Sequence, residues 1–447
     1  MELYQWLLLL LFGGGFLLSA PLARGVSEFF SAEREDGSRP NGWVLTSSLV
    51  ISWIFAKSIT NAANLGLSFG LVGGFAYAVY YGSFLVAGVV IYQLRTRGGF
   101  RSIHHFLHTR YGRSAVVVFS LLVGFRLFNE VWSNTMVIGS YFGAAGSAPY
   151  YWSILVFTGL TLAYTLKGGL RSSLLTDAVQ MLLFGGLLVL LLTLIVPRGE
   201  ASITAYLGSG TWRMETGLNL ALVALLQIFS YPFHDSVLTD RGFIADPKTT
   251  LRSYFWAGGI GFVCILLFSF IGIYARLNGL QGQAAVAVSQ QLGILGALAM
   301  NFIMITSAAS TLDSAFSSFS KLVVIDLGVA GARPVRTGRL VMAGLTVLGT
   351  LPIFFDPEIL SATTVSGTMV MGLAPVFLAW RTRGSFHAAV GTGIVLGVFH
   401  ASGWLPTVPY GFPGKYGDLL AVNLWGLALC IAAFYSVKIF SLGKKHS

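Results

Sequence analysis

The sequence predicts an all-α integral membrane protein, a bundle of about thirteen transmembrane helices, and three observations carry that prediction. Of its 447 residues, 55% are hydrophobic and 10% charged, with a mean hydropathy of +0.75; a soluble domain carries roughly 25% charged residues. Apolar stretches of about 20 residues, the length that crosses hydrocarbon as a helix, recur along the whole chain. Basic residues cluster in alternate connections between those stretches. Inside lipid, backbone groups must pair within their own structure, which leaves helices or closed barrels, and runs of this length mean helices.

The spans fall at 3–20, 44–67, 70–93, 114–143, 150–166, 173–197, 218–238, 253–275, 295–326, 337–355, 359–380, 385–404 and 420–438. With the N-terminus outside, 22 of the 28 Lys and Arg lie on the cytoplasmic side. Arg198, Arg213, Arg276 and Lys415 lie outside, and Lys57 and Arg126 fall within spans. This is the positive-inside pattern, loop by loop. It places the C-terminus in the cytoplasm and accounts for the net charge of +11 without a nucleic-acid partner. The first run also reads as an export signal ending near Ser19-Ala20, but Glu2 and the lack of Lys or Arg before the apolar stretch oppose that. Cys264 and Cys430 stand apart in apolar runs, so neither a disulfide nor a metal site is indicated. Residues 103–111, with His104, His105 and His108, read as a short amphipathic helix on the inner surface rather than a metal site. No Walker sequence or nucleotide fingerprint is present, which argues against ATP-driven pumping.

Seven ionisable residues interrupt the apolar runs: Lys57, Arg126, Glu130, Asp177, Asp235, Asp240 and Asp313. A charge in hydrocarbon costs about 3 kcal/mol on insertion scales, so such residues usually face a bundle interior and mark a substrate or ion path. Arg126 and Glu130, four apart, share a helix face and read as a self-neutralising pair.

Two short segments echo one another. Ser52-Trp53-Ile54-Phe55-Ala56-Lys57-Ser58 and Ser230-Tyr231-Pro232-Phe233-His234-Asp235-Ser236 place Ser, an aromatic, Phe, a charge and Ser at matching positions. Transporters built from inverted repeats set their sites on corresponding interrupted helices of the two halves. Pro232 supports an interruption, because proline removes a backbone hydrogen bond in mid-span. The chain then divides into an N-terminal extra helix and inner loop (1–43), a first five-helix repeat (44–197), an outer loop (198–217), a second repeat (218–380) and two C-terminal helices with a tail (381–447).

The stretch Lys167-Gly168-Gly169-Leu170-Arg171-Ser172-Ser173-Leu174-Leu175-Thr176-Asp177-Ala178-Val179-Gln180 resembles the signature of the sodium/solute symporter family. Further resemblances follow in family order: Phe29-Phe30 with Arg34, Phe106-Leu107 before Arg110-Tyr111-Gly112, Asp240-Arg241 where many members have Gln-Arg, and Ser310-Thr311-Leu312-Asp313-Ser314 with Asp326. Together they span about 20 to 380. The resemblance implies a LeuT-type 5+5 inverted-repeat bundle with a sodium site between core helices one and eight.

Carried over by position, the implied sodium ligands are the hydroxyls of Ser310 and Thr311 and carbonyls near Ile51 and Ile54. Asp177 and Ser307 would join Ser310 and Thr311 in a second site. Sodium is a hard cation, and broken helices with Ser and Thr offer the oxygens it needs. Trp53, Lys57, Tyr231 and His234 form the expected solute neighbourhood, Asp235 falls at an inner-gate position, and Tyr77 and Tyr81 border the solute. Lys57 departs from the small or neutral residue common there. It is expected to pair with Asp235; the alternatives are that it takes sodium's place or holds a substrate carboxylate.

The function expected is sodium-coupled symport of a small organic solute, zwitterionic or anionic, by alternating access, with no bond made or broken and no cofactor beyond sodium. Two other readings stand beside it: a non-transporting symporter-like subunit or sensor, with a filled centre, and a sodium-independent uniporter or exchanger using Lys57 as a fixed cation.

Overall fold

The computed structural model describes residues 2–32, 39–196, 203–329, 331–404 and 411–443. Arg34 of the family resemblance, and Arg198, Lys444 and Lys445 of the charge count, lie outside the described residues. The described residues are helical throughout, without strands. In chain order the helices are α1 (Glu2–Ser19), α2 (Val26–Ser31), α3 (Gly42–Ile51), α4 (Ala56–Phe69), α5 (Leu71–Ala78), α6 (Ser83–Thr96), α7 (Ile103–Phe142), α8 (Ala148–Ile195), α9 (Ile203–Leu207), α10 (Leu218–Gln227), α11 (Ser236–Arg241) and α12 (Pro247–Leu277). They continue with α13 (Ala284–Gln291), α14 (Gly293–Lys321), α15 (Pro334–Thr350), α16 (Ser361–Met369), α17 (Leu373–Leu378), α18 (Phe386–Ala401) and α19 (Gly417–Gly443).

Among the described residues, eight helices are long and apolar enough to cross a membrane, or nine if α3 and α4, bent by 56°, form one span. Most of the difference from thirteen has a local cause, and the expected span 385–404 is the shorter helix α18, of 16 residues. Two expected spans, 150–166 and 173–197, run together in α8, which turns at Gly169 with φ +55°. That left-handed conformation suits glycine, and a side chain there would strike the carbonyl of Phe29. The Gly-Gly of the signature and the Phe-Phe of α2 are thus two sides of one contact. The expected surface helix 103–111 is the first part of α7, set off from the span by Gly112 with φ +82°. The spans at 218–238 and 359–380 are interrupted, into α10, a turn at Tyr231–His234 and α11, and into α16 and α17.

Both echoing segments break where the sequence places them. Between α3 and α4 the freed carbonyls find side-chain donors: Tyr81 donates to the Trp53 carbonyl at 2.7 Å, and Ser307 donates to that of Ile54. Buried backbone groups left without partners are costly, so these two hydroxyls hold the break open. In the second half Pro232 begins a single tight turn, and Asp235 then caps α11 by accepting from the Leu238 amide at 3.1 Å. α14 packs along α8 and α4 along α12. Gly66 and Gly272 let the last two approach until any side chain would meet the facing carbonyls of Ser269 and Ala63. At the start of α12, Asp246 accepts from the Lys248 and Thr249 amides, and hydrogen bonding by Thr249 holds its carboxyl below the usual range.

Candidate functional site

The break in α3–α4 brings a pair of ionic clusters into the interior. In the first, Lys57 Nζ lies 2.7 Å from Glu130, Glu130 lies 2.6 Å from Arg126, and Arg126 lies 3.0 Å from Asp235. All four are buried. The expected Arg126–Glu130 pair is present, four residues apart on α7. The expected Lys57–Asp235 pair is not: Asp235 is taken by Arg126 and by Trp53 Nε1 at 2.7 Å, while Lys57 turns to Glu130. The reason is that α7 sets an acid and a base one turn apart between the two broken helices, so each of their charges meets a nearer partner. Two positive and two negative charges close the account of this cluster.

The second cluster does not close. Arg241 lies 3.0 Å from Asp177, and also donates to Ser48 at 2.6 Å, to Ser314 at 2.8 Å and to the Val237 carbonyl at 3.0 Å. Asp177 further accepts from Ser48 and Ser310, each at 2.5 Å. Asp313, one turn beyond Ser310, accepts from Ser173 at 2.8 Å, Tyr164 at 2.9 Å and Thr176 at 3.0 Å. Ser314 touches both Arg241 and Asp313 and joins the halves of the cluster. All three ionisable groups are fully buried. With both acids ionised the cluster carries one negative charge more than Arg241 neutralises, and no basic side chain among the described residues salt-bridges Asp313.

Arg241 corrects the charge count, which assigned it to an inner loop; it is a buried member of the bundle. Its position after Asp240 in the family resemblance was the available signal. The third set of charges is at the bundle end assigned to the cytoplasm. Lys321 pairs with Asp240 and lies 3.6 Å from Asp326, and His104 lies 3.5 Å from Asp326.

The structure gathers the expected sodium ligands in part. Ser307 reaches the Ile54 carbonyl and Ser310 reaches Asp177. Thr311 donates to the Ser307 carbonyl within its own helix at 3.0 Å, and Ile51 is the last residue of α3. Of the expected solute residues, Trp53 packs edge-on to Tyr81 and Tyr231, with ring centres 5.5 and 5.9 Å apart. Tyr231 accepts from Arg126 at 2.6 Å, Tyr77 meets Ser58 at 3.3 Å, and His234 meets the Tyr231 carbonyl at 2.5 Å. All of them are buried. A cavity of about 970 Å³ opens at the end assigned to the outside; Thr60, Asn61, Met136, Tyr141, Gln283 and Lys415 are among its lining, but Lys57 and Trp53 are not.

The model of the sodium:solute symporter family matches residues 29–208. A stretch of 189 residues is 28% identical to human sodium/glucose cotransporter 4, covering 40% of this chain and about a quarter (26%) of that protein. Over the whole bundle the fold is that of solved LeuT-type transporters. A Na+-coupled sialic acid symporter in a substrate-bound outward-open state superposes with a TM-score of 0.69 at 17% identity, covering 96% of this chain and 95% of that one. Mhp1, of the nucleobase-cation-symport-1 family, in a closed conformation gives 0.57 at 14% identity, covering 94% and 95%. MhsT in complex with L-phenylalanine gives 0.56 at 15%, covering 89% and all of that chain. The segment that the family model matches holds α3–α4, Lys57, Glu130 and Asp177, whereas Asp235, Arg241 and Asp313 lie beyond it.

Proposed function

We propose that this protein is a sodium-coupled secondary transporter of a small organic solute. The observation that carries the reading is a buried cluster with two acids, Asp177 and Asp313, and one basic partner, Arg241, which binds Asp177. A buried carboxylate without a paired charge costs several kcal/mol, so the second acid is held either by a proton or by a bound cation, and the reading takes the cation. The oxygens beside it are of the kind sodium takes: the hydroxyls of Ser307, Ser310 and Thr311, the broken-helix carbonyls at Ile51 and Ile54, and Asp177 itself. Entry of sodium among them would replace the Ser307–Ile54 and Ser310–Asp177 hydrogen bonds with ion contacts and tie α3–α4 to α14. The 970 Å³ cavity opens on the opposite side of the bundle to Lys321, with Thr60 and Asn61 of α4 in its lining. On this reading the N-terminus is outside, residues 44–197 and 218–380 are the inverted repeats, and the bundle is surrounded by lipid.

A second reading has its own support. The rings of Trp53, Tyr77, Tyr80, Tyr81 and Tyr231 fill the centre, and the first ionic cluster is closed on itself. A symporter-like sensor or subunit would look the same. Sodium-dependent thermal stabilisation, followed by uptake into proteoliposomes under an inward sodium gradient, separates the two. Stabilisation and uptake support the transporter; sodium binding without uptake of any solute supports the sensor. Lys57 is committed to Glu130, which weighs against its serving as a fixed cation in sodium's place.

A further inference from the structure

The first cluster ties three elements together at one level. Lys57 is on α4 after the first break, Asp235 caps α11 after the second, and both join α7, which runs unbroken between them. Motion of the broken helices against α7 must therefore separate Lys57 from Glu130 or Arg126 from Asp235. The Lys57 end is the weaker one. Its ammonium has three donors, and its one polar contact among the described residues is a single oxygen of Glu130. Arg126, by contrast, is held by Glu130, Asp235 and Tyr231.

The Lys57 end also faces the open path. Asn61 and Thr60, about one turn further along α4, line the 970 Å³ cavity, as does Met136 on α7 beyond Glu130. The Thr60 hydroxyl is buried there with no hydrogen-bond partner. Thr60 and Asn61 therefore stand between this cavity and Lys57 along α4.

Charge accounting then selects the ligand. The cluster is neutral as it stands. An anion binding Lys57 would leave it one negative charge in excess, and a cation on Glu130 would leave it one positive charge in excess. A ligand with no charge gives the pair nothing in exchange for its separation. Only a ligand carrying both signs leaves every buried charge paired. We propose, resting on the transporter reading above, that Lys57 and Glu130 read a zwitterionic solute. The solute's carboxylate takes Glu130's place on Lys57, and its ammonium takes Lys57's place on Glu130. The internal ion pair is then a stand-in that the solute displaces, and the exchange frees α4 from α7.

The test uses the purified full chain in sodium, with thermal shift and equilibrium binding. The probes are the proteinogenic L-amino acids and glycine betaine, the amino acids' amides (cations), the amino acids' N-acetyl derivatives (anions) and neutral hexoses. The expected result is that at least one zwitterion stabilises the protein, and that its amide and N-acetyl forms each bind about 100-fold or more weaker, the scale of an unpaired buried charge. The paired variant Lys57→Met with Glu130→Gln should keep its sodium response and lose the zwitterion response. Equal binding of an N-acetyl acid, an amide or a hexose would overturn the proposal, as would a sodium response with no response to any zwitterion. Loss of the sodium response itself in wild type would instead sink the transporter reading. The analogue series needs no variant, so the proposal is decided even if the paired variant does not fold.

Discussion

The two buried ionic clusters are built from the same kinds of residue and differ in one charge. Around α7, Lys57, Glu130, Arg126 and Asp235 alternate in sign and cancel; around α14, Asp177 takes the guanidinium of Arg241, while Asp313 is held by the hydroxyls of Ser173, Tyr164 and Thr176. The first is complete and joins helices to one another. The second is incomplete and surrounded by hydroxyls, from Ser48, Ser173, Ser310, Ser314, Tyr164 and Thr176. On the proposed reading the balanced cluster acts as a fastening and the second cluster is the place for a cation.

The largest effects expected from breaking this contrast are at Arg241. Arg241→Met removes the only basic partner of Asp177, and breaking a buried pair by deleting one member costs about 3–5 kcal/mol. The variant should be recovered in low yield or melt far below wild type, with Asp177→Asn restoring part of the loss. Asp313→Asn should do the reverse: it removes the excess charge, so it should fold at least as well as wild type without sodium and gain less from added sodium. If Asp313→Asn is as damaging as Arg241→Met, the charge deficit is not the organising feature of that cluster.

The next effect lies in the balanced cluster. Lys57→Met and Glu130→Gln should each destabilise by about 2–4 kcal/mol, since each strands a neighbour, and the double variant should recover part of it in a thermodynamic cycle. Lys57→Met with Asp235→Asn should show much less coupling, because those two are joined only through Glu130 and Arg126. Strong coupling in that second cycle and none in the first would reverse the assignment of partners.

A smaller change is expected at the hydroxyls. Ser310→Ala and Thr311→Ala should each leave the melting temperature without sodium within a few degrees of wild type, a loss of about 1 kcal/mol, while raising the sodium concentration needed for stabilisation. Unchanged sodium dependence in both would move the ion away from these oxygens. Labelling of introduced cysteines should have almost no energetic effect. Lys415→Cys should react with impermeant reagent from outside and Val335→Cys from inside; the reverse pattern would invert the orientation.

The sequence by itself determined the class of structure and where the two echoing segments break. Apolar run length specifies helices, because lipid offers the backbone no other partner. Pro232 and the repeated Ser-aromatic-Phe-charge pattern located the two interruptions, since the residues that permit a break are local in the chain. Arg126 and Glu130 were legible as a pair because one helical turn separates them. What the tertiary structure alone decided was which charges meet across helices. Lys57 and Asp235 occupy matching places in their repeats, yet α7 lies between them and offers each a nearer opposite charge. Arg241 reads as one more basic loop residue until α11 folds against α8 and α14 and carries its guanidinium to Asp177. Contacts more than 60 residues apart are fixed by how helices pack, and packing between apolar faces leaves almost no local trace in sequence. The balance of one cluster and the deficit of the other are therefore properties of the fold, written in residues whose charges the sequence shows but whose partners it does not.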